Sequence, residues 1–257
     1  MTYLRYVALG DSQTEGLNDG NERSGYRGWA DHFAEQLATV NPAARYANLA
    51  VRGKRAGQVR AEQLEVALAL EPDLASVMAG VNDMIHPRYE ARAVIADLDA
   101  TVAALSRAGA RVITFTFPDF TQLVPIARRL RPRLLDFNDR IRELAARHDA
   151  SLVDAFTYPL SVDPRMWSPD RIHATPLGHR FIAAVTAETL GLPGSPAATR
   201  TLPPLPPTAP LAGVVRELRW IGTFLGPWAV RRVRGRSTGD GRTAKRPDLM
   251  PVHKGND

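Results

Sequence analysis

Three residues of this chain have the types and spacing of a nucleophile, its base and the group that orients the base. Ser12 follows the apolar run 7–9 in the stretch YVALGDSQTEG. His173 stands three residues after Asp170, so the carboxylate can turn back to accept a hydrogen bond from one ring nitrogen. Imidazole suits a base because its unperturbed pKa lies nearest neutrality. Ser12 is therefore a candidate nucleophile, although Gly-Asp-Ser is equally typical of an ordinary turn.

Attack on a carbonyl also requires donors aimed at the oxygen that becomes negative. We expect these donors to be the backbone N–H groups of Ser12 and Gly53 and the side-chain amide of Asn82, which follows the apolar run 74–79. Gly53 is also explained by a turn that needs positive φ. Asp83 is interpreted as a cap of the next helix.

Two other motifs are interpreted as structural. His179, six residues after His173, lacks the i, i+4 spacing of a helical zinc site and has no acidic cluster beside it, so no metal is predicted. Gly235 to Gly239 fits Gly-x-Ser-x-Gly as a string. Its serine, Ser237, follows a basic stretch instead of a buried strand, so we interpret it as structural or disordered.

The elements that must position these residues alternate regularly between strand and helix. Strands are predicted at 7–9, 45–51, 74–79, 111–117 and 151–155, and helices at 29–40, 58–70, 89–108, 134–148 and 177–190. This alternation predicts an α/β fold, a three-layer α/β/α sandwich around a five-stranded parallel sheet. The candidate site residues follow strands 1, 2, 3 and 5, so they can meet in one crevice at the carboxyl edge of the sheet.

Charge is distributed unevenly along the chain of 257 residues. Residues 214–257 hold ten Lys and Arg against four Asp and Glu, so the net charge of +6 belongs to this end and the remainder is balanced. The chain has no cysteine, which excludes disulfides and thiolate chemistry. The sequence runs into its first strand with no leader pattern, which predicts a cytoplasmic protein.

We expect three segments: a catalytic domain at 1–192, a proline-rich linker at 193–212 and a basic amphipathic extension at 213–257. The extension has apolar residues at helical spacing between 214 and 225. It could dock on the catalytic domain, contact a partner protein or lie on an anionic membrane through its arginines. Specific nucleic-acid binding is not expected, because the balanced domain lacks a basic patch.

Four blocks of the sequence resemble the SGNH/GDSL hydrolase family. They are Gly-Asp-Ser at 10–12, Asn-Leu-Ala-Val-Arg-Gly at 48–53, Gly-Val-Asn-Asp at 80–83 and Asp-Arg-Ile-His at 170–173. The resemblance covers about residues 3–190, with Gln13 where the family usually has leucine. It implies a flavodoxin-like sheet, a serine hydrolase acting on carboxylic esters, and no metal or organic cofactor.

The expected activity is hydrolysis of a small-molecule or lipid ester through an acyl-enzyme on Ser12. Two alternatives remain open: an acyltransferase that uses the same residues with a sugar or lipid hydroxyl as acceptor, and a non-catalytic binding protein that acts through its basic tail. The arginine-rich segment 119–133 after the fourth strand is a candidate for part of the substrate pocket.

Overall fold

The computed structural model of the protein describes residues 2–193, 202–203, 219–226 and 238–252. Most of the predicted linker 193–212, the first part of the amphipathic extension, the arginines between 231 and 236 and the Gly-x-Ser-x-Gly serine, Ser237, lie outside the described residues. The division of the chain at residue 192 stays a prediction.

A mostly parallel sheet forms the centre of the molecule, and this confirms the predicted α/β class. The strand order is β7-β6-β5-β1-β4-β8. The strands are β1 (Arg5–Gly10), β4 (Arg45–Asn48), β5 (Leu74–Met78), β6 (Arg111–Phe115), β7 (Ser151–Val153) and β8 (Arg246–Pro251), and a separate hairpin is made by β2 (Gly20–Asn21) and β3 (Gly25–Tyr26).

The prediction of five strands was wrong, because the sheet has six. The additional strand, β8, comes from the basic extension and pairs antiparallel with β4. Two prolines and two charged residues in six positions disfavour a strand prediction for this segment. Proline is tolerated in β8 because the strand lies at the sheet edge, where one side has no ladder partner.

Helices cover the sheet on both faces. The helices are α1 (Ser12–Glu15), α2 (Gly28–Val40), α3 (Ala56–Ala69), α4 (Val81–Met84), α5 (Ala91–Arg107), α6 (Arg131–Arg147) and α7 (Pro176–Thr189), with 3-10 turns at Phe120–Gln122, Pro125–Leu130, Ala155–Thr157, Pro159–Val162 and Pro164–Met166 and a π-helical turn at Ile221–Leu225. The chain reverses direction in the sheet after β4, so right-handed crossovers place α2 on one face and α3, α5 and α6 on the other. Helix α7 packs against α2.

Two basic side chains fasten the end of the described chain to helix α2, the turn before it and strand β4. Lys245 donates to the Asp31 carboxylate at 2.6 Å and to the backbone carbonyls of Tyr26 and Arg27. The guanidinium of Arg246 donates to the carbonyl of Tyr46 at 2.8 Å and lies over its ring. These contacts make residues 245–251 part of the folded body.

Candidate active site

Ser12 lies where β1 ends, at the start of the one-turn helix α1. The side chain of Asp11 caps this turn by accepting a hydrogen bond from the backbone N–H of Gln13. Gly10 makes the tight exit from the strand possible, because a Cβ there would lie 2.4 Å from the carbonyl oxygen of Met78 on the neighbouring strand. The Ser12 side chain therefore emerges at the carboxyl edge of the sheet, as predicted.

A chain of hydrogen bonds joins Ser12, His173 and Asp170. Nε2 of His173 lies 2.9 Å from Oγ of Ser12, and Nδ1 lies 2.8 Å from Oδ2 of Asp170. An ionised carboxylate can only accept, so the ring proton is on Nδ1 and Nε2 is free to accept from the serine hydroxyl. This orientation is the one that a base acting on Ser12 requires.

The Asp170 carboxylate is held in its ionised form by several donors. Burial by itself would raise the pKa of Asp170. The hydrogen bond and charge of the His173 ring, with the backbone N–H groups of His173 and Ile172, outweigh burial and hold this pKa below its usual value. Asn18, which the sequence analysis did not single out, donates to the same carboxylate at 3.3 Å.

Gln13 connects the loop of Ser12 to the loop of His173. Its amide nitrogen donates to the carbonyl of Ile172 at 3.2 Å, and its amide oxygen accepts from the backbone N–H of Ala174 at 3.1 Å. Residues 12 and 173 are 161 positions apart, and this paired contact fixes the distance between their loops. Gln13 is the residue that departs from the leucine usual in the family.

Asn82 lies in α4 directly after β5, with its amide turned toward the Ser12 loop. Its Nδ2 donates to Oδ2 of Asp11 at 3.0 Å and to the carbonyl of Lys54 at 3.1 Å. Burial raises the pKa of Asp11 to about 7, although the hydrogen bonds from Gln13 and Asn82 partly oppose it. The amide of Asn82 is thereby fixed beside Ser12.

Gly53 has a φ of 76°, so a turn in the left-handed region explains its residue type without any chemical role. The preceding residue, Arg52, holds this turn in place. Its guanidinium and backbone N–H bind the buried carboxylate of Glu15, and the same guanidinium donates to Glu22 at 3.0 Å. The Gly53 turn is thus tied to the helix that begins with Ser12.

Ser12, Gly53, Asn82, Asp170 and His173 line one cavity of about 270 Å³. The predicted site residues therefore meet in one place. Most of the remaining lining is apolar: Val81, Ile85, Phe117, Pro118, Phe120, Val124, Ala127, Leu130, Trp167, Ile172, Trp220 and Phe224. An apolar wall around a polar centre is typical of a pocket for an organic ligand.

The segment 119–133 contributes to this cavity through its apolar residues instead of its arginines. Arg131 pairs with Asp119 at 2.9 Å, and Arg133 donates to the backbone carbonyls of Met84 and His86. Those arginines hold the segment in place while its apolar side chains face the cavity. The pattern of residues 124, 127 and 130 at helical spacing was the signal that could have shown this.

Two residues next to the predicted site have structural roles. Asp83 caps a helix, as expected, but it caps α3 by accepting from the N–H of Ala56 at 2.9 Å, and not the next helix along the chain. His179 is fully buried, and backbone groups occupy both of its ring nitrogens. In the described part of the chain, no three His, Asp or Glu side chains are grouped as metal ligands.

No helix among the described residues is both long and apolar enough to cross a bilayer. The cytoplasmic location and the absence of a cofactor stay predictions.

Comparison with known proteins identifies the chain by both sequence and fold. Residues 8–181 match the GDSL-like Lipase/Acylhydrolase family. An alpha/beta hydrolase from the metagenome of Lake Arreo is similar at 25% identity and a TM-score of 0.62, over 74% of this chain and 95% of that one. No curated protein sequence matches significantly.

Two acetyl xylan esterases share the fold. The enzyme from Geobacillus stearothermophilus is 20% identical with a TM-score of 0.62, over 73% of this chain and 94% of that one. A second, AlAXEase, is 20% identical with a TM-score of 0.60, over 73% of this chain and 100% of that one. With the family match spanning more than half of its length, the chain belongs to the GDSL-like lipase/acylhydrolase family and is an ester hydrolase of the GDSL type.

Proposed function

We propose that the protein hydrolyses carboxylic esters through an acyl-enzyme formed on Ser12. The observation that carries the proposal is the line of hydrogen bonds from Asp170 through His173 to the Ser12 hydroxyl. These residues come from two distant loops and meet with the separations that proton transfer needs, about 2.6–3.2 Å between heavy atoms. A turn that used Ser12 only for local structure would not need this alignment.

In the first half of the reaction, Nε2 of His173 takes the Ser12 proton while Oγ bonds to the ester carbonyl carbon. The carbonyl oxygen becomes negative and receives hydrogen bonds from the backbone N–H groups of Ser12 and Gly53. Asn82 joins them by exchanging one of its amide hydrogen bonds, to Asp11 or to the Lys54 carbonyl, for one to this oxygen. The intermediate collapses, the carbon–oxygen bond to the alcohol breaks, and His173 gives its proton to the leaving oxygen. Ser12 is left acylated.

In the second half, His173 removes a proton from water as the water oxygen attacks the acyl carbon. Collapse of this second intermediate returns the proton to Oγ of Ser12 and releases the carboxylic acid. Asp170 holds the ring orientation throughout and stabilises the imidazolium that forms. No step of this sequence requires a metal or organic cofactor.

The apolar lining of the cavity supports an ester with an apolar acyl group of short or medium length. A cavity of about 270 Å³ is small beside the roughly 300–1,000 Å³ typical of ligand sites. Val81 and Ile85, which flank Asn82 in the chain, line this cavity and are the candidates for the acyl side of the site.

The test is labelling by a fluorophosphonate probe together with hydrolysis of p-nitrophenyl esters of increasing acyl length. Ser12→Ala is expected to abolish labelling and to lower kcat by about 10⁶-fold, as loss of a serine nucleophile does elsewhere. Ser106→Ala, on helix α5, is the matched control and should change neither. Labelling or turnover that survives in Ser12→Ala would refute the proposal.

The same assay separates a hydrolase from an acyltransferase. A transferase would release p-nitrophenol faster when a sugar or lipid alcohol is added and would yield the transferred ester. We expect no acceleration and the free acid as product.

A further inference from the structure

The direction in which the alcohol of the ester leaves follows from the positions of the proton donor and the oxyanion donors. The negative oxygen must face Gly53 and Asn82, whereas the alcohol oxygen must face Nε2 of His173 to receive its proton. The alcohol therefore lies along the loop that carries Asp170 and His173. This reasoning rests on the proposed function.

That loop borders a second, larger cavity of about 600 Å³. Four residues, Trp167, Arg171, Trp220 and Phe224, line both this cavity and the one that contains Ser12. The two cavities therefore adjoin on the side of the site where the alcohol must leave. The remaining lining of the larger cavity includes the polar side chains of Gln122, Ser168, Thr223 and Arg219.

One wall of this space is formed by the helical segment 219–226, which lies beyond the residues that match the family. Trp220 fixes the segment to the loop. Its indole N–H donates to the carbonyl of Asp170 at 3.1 Å, and its ring lies 4.9 Å from the guanidinium carbon of Arg171. Only 6% of Trp220 is exposed. The wall is thus built onto the residue that orients His173.

Phe224, one turn further along the segment, has a different environment. The residue is 37% exposed although it borders both cavities. A flat apolar surface beside arginine and hydroxyl groups suits a ligand that has both an apolar face and polar edges. Covering the exposed part of the ring would add favourable apolar burial on binding.

We propose that the second cavity is the leaving-alcohol site and that Phe224 and Trp220 give the enzyme a preference for alcohols that carry a ring. A sugar and an aromatic alcohol both present a flat apolar face, and the polar lining can bind the hydroxyl groups of a sugar. The extension would then determine which esters are cleaved, while the family-matching residues perform the reaction.

The test uses esters that share an acetyl group and differ only in the alcohol: ethyl acetate, methylumbelliferyl acetate and an acetylated methyl glycoside. Phe224→Ala is expected to lower kcat/KM by about tenfold for the ring-bearing alcohols and by less than about twofold for ethyl acetate. Phe224→Leu, which keeps an apolar side chain without the flat ring, should lie between. The difference between the two ring esters distinguishes a sugar from an aromatic alcohol.

Met250→Ala, an exposed residue of β8 in the same extension, is the control and should leave all three esters unchanged. Thermal unfolding of each variant confirms that it is folded. An equal loss on all three esters, or a changed dependence on acyl length in place of alcohol, would overturn the inference. Ser12→Ala fails on every ester if the proposed function is right, so the two hypotheses can fail separately.

Discussion

His173 and His179 are six residues apart in the chain, and their imidazole rings serve opposite purposes. His173 faces the cavity, with Asp170 on one nitrogen and the Ser12 hydroxyl on the other. His179 is fully buried; its Nδ1 accepts from the backbone N–H of Trp29, and its Nε2 donates to the carbonyl of Leu17. Burial lowers the pKa of His179 to about 4.

This difference shows what makes a histidine available for chemistry. A ring can act as a base when its lone pair faces a removable proton and its charged form has a carboxylate partner. Where backbone groups occupy both nitrogens in the interior, the neutral ring serves as a fixed connection between loops. Both residues have the same type, and only their surroundings separate the two roles.

The largest expected effect comes from exchanging each histidine for alanine. His173→Ala should lower kcat by about 10⁶-fold with little change in thermal stability, as removal of the base does in known serine hydrolases. His179→Ala should lower stability while the folded fraction keeps its activity. Kinetics normalised to the folded fraction of each variant measure this contrast, and equal activity losses in the two variants would remove the distinction.

Asp170→Asn addresses the same contrast from the side of the carboxylate. The amide oxygen can still accept from the backbone N–H groups of Ile172 and His173, so the loop keeps its shape. The loss of charge should let the ring take the wrong tautomer, with a fall in kcat of about 10⁴-fold. If kcat falls by less than about tenfold, the carboxylate does not orient His173 as proposed.

The pH dependence of stability should report on His179. Its pKa is about 4 in the fold and about 6.5 in the unfolded chain, so the folded state disfavours the charged ring. The stabilisation that comes from keeping this ring neutral is complete above pH 6.5 and is lost as the pH falls toward 4. The total loss is about 3 kcal/mol of the free energy of unfolding. Urea unfolding at a series of pH values measures it.

His179→Gln supplies the matched comparison, because its amide can still donate and accept without titrating. The difference in stability between this variant and the wild type should shrink as the pH falls from 6.5 to 4. His148→Gln, at the end of α6, controls for loss of a histidine as such. A difference that stays constant over this range would show that His179 is not held neutral by the fold.

Much of the fold and the site could be predicted from local sequence. The apolar runs and the residues that end them predicted the five parallel strands and the positions of Ser12, Asn82 and His173. Each of these signals lies within a few neighbouring residues. The prediction of the family is confirmed by the match over residues 8–181.

The features that were missed depend on contacts between distant residues. The bond from Trp220 to Asp170 spans 50 residues, and the pairing of Arg52 with Glu15 spans 37. Strand β8 has no strand-like composition of its own and exists because β4 offers it a partner edge. Periodicity cannot report such partners, because they are determined by packing in the folded chain.

Strand β8 also has a consequence for how this protein is made. Tyr46 and Arg246 are 200 residues apart, so β4 stays an open edge on the ribosome until almost all of the described chain has emerged. During that time Asp31 lacks its cation, Lys245, and the unpaired edge can recruit other nascent chains. Trimming the gene to residues 1–192, which keeps β1 and α7 whole, would make this vulnerable intermediate permanent, and we expect the shortened product to accumulate in inclusion bodies.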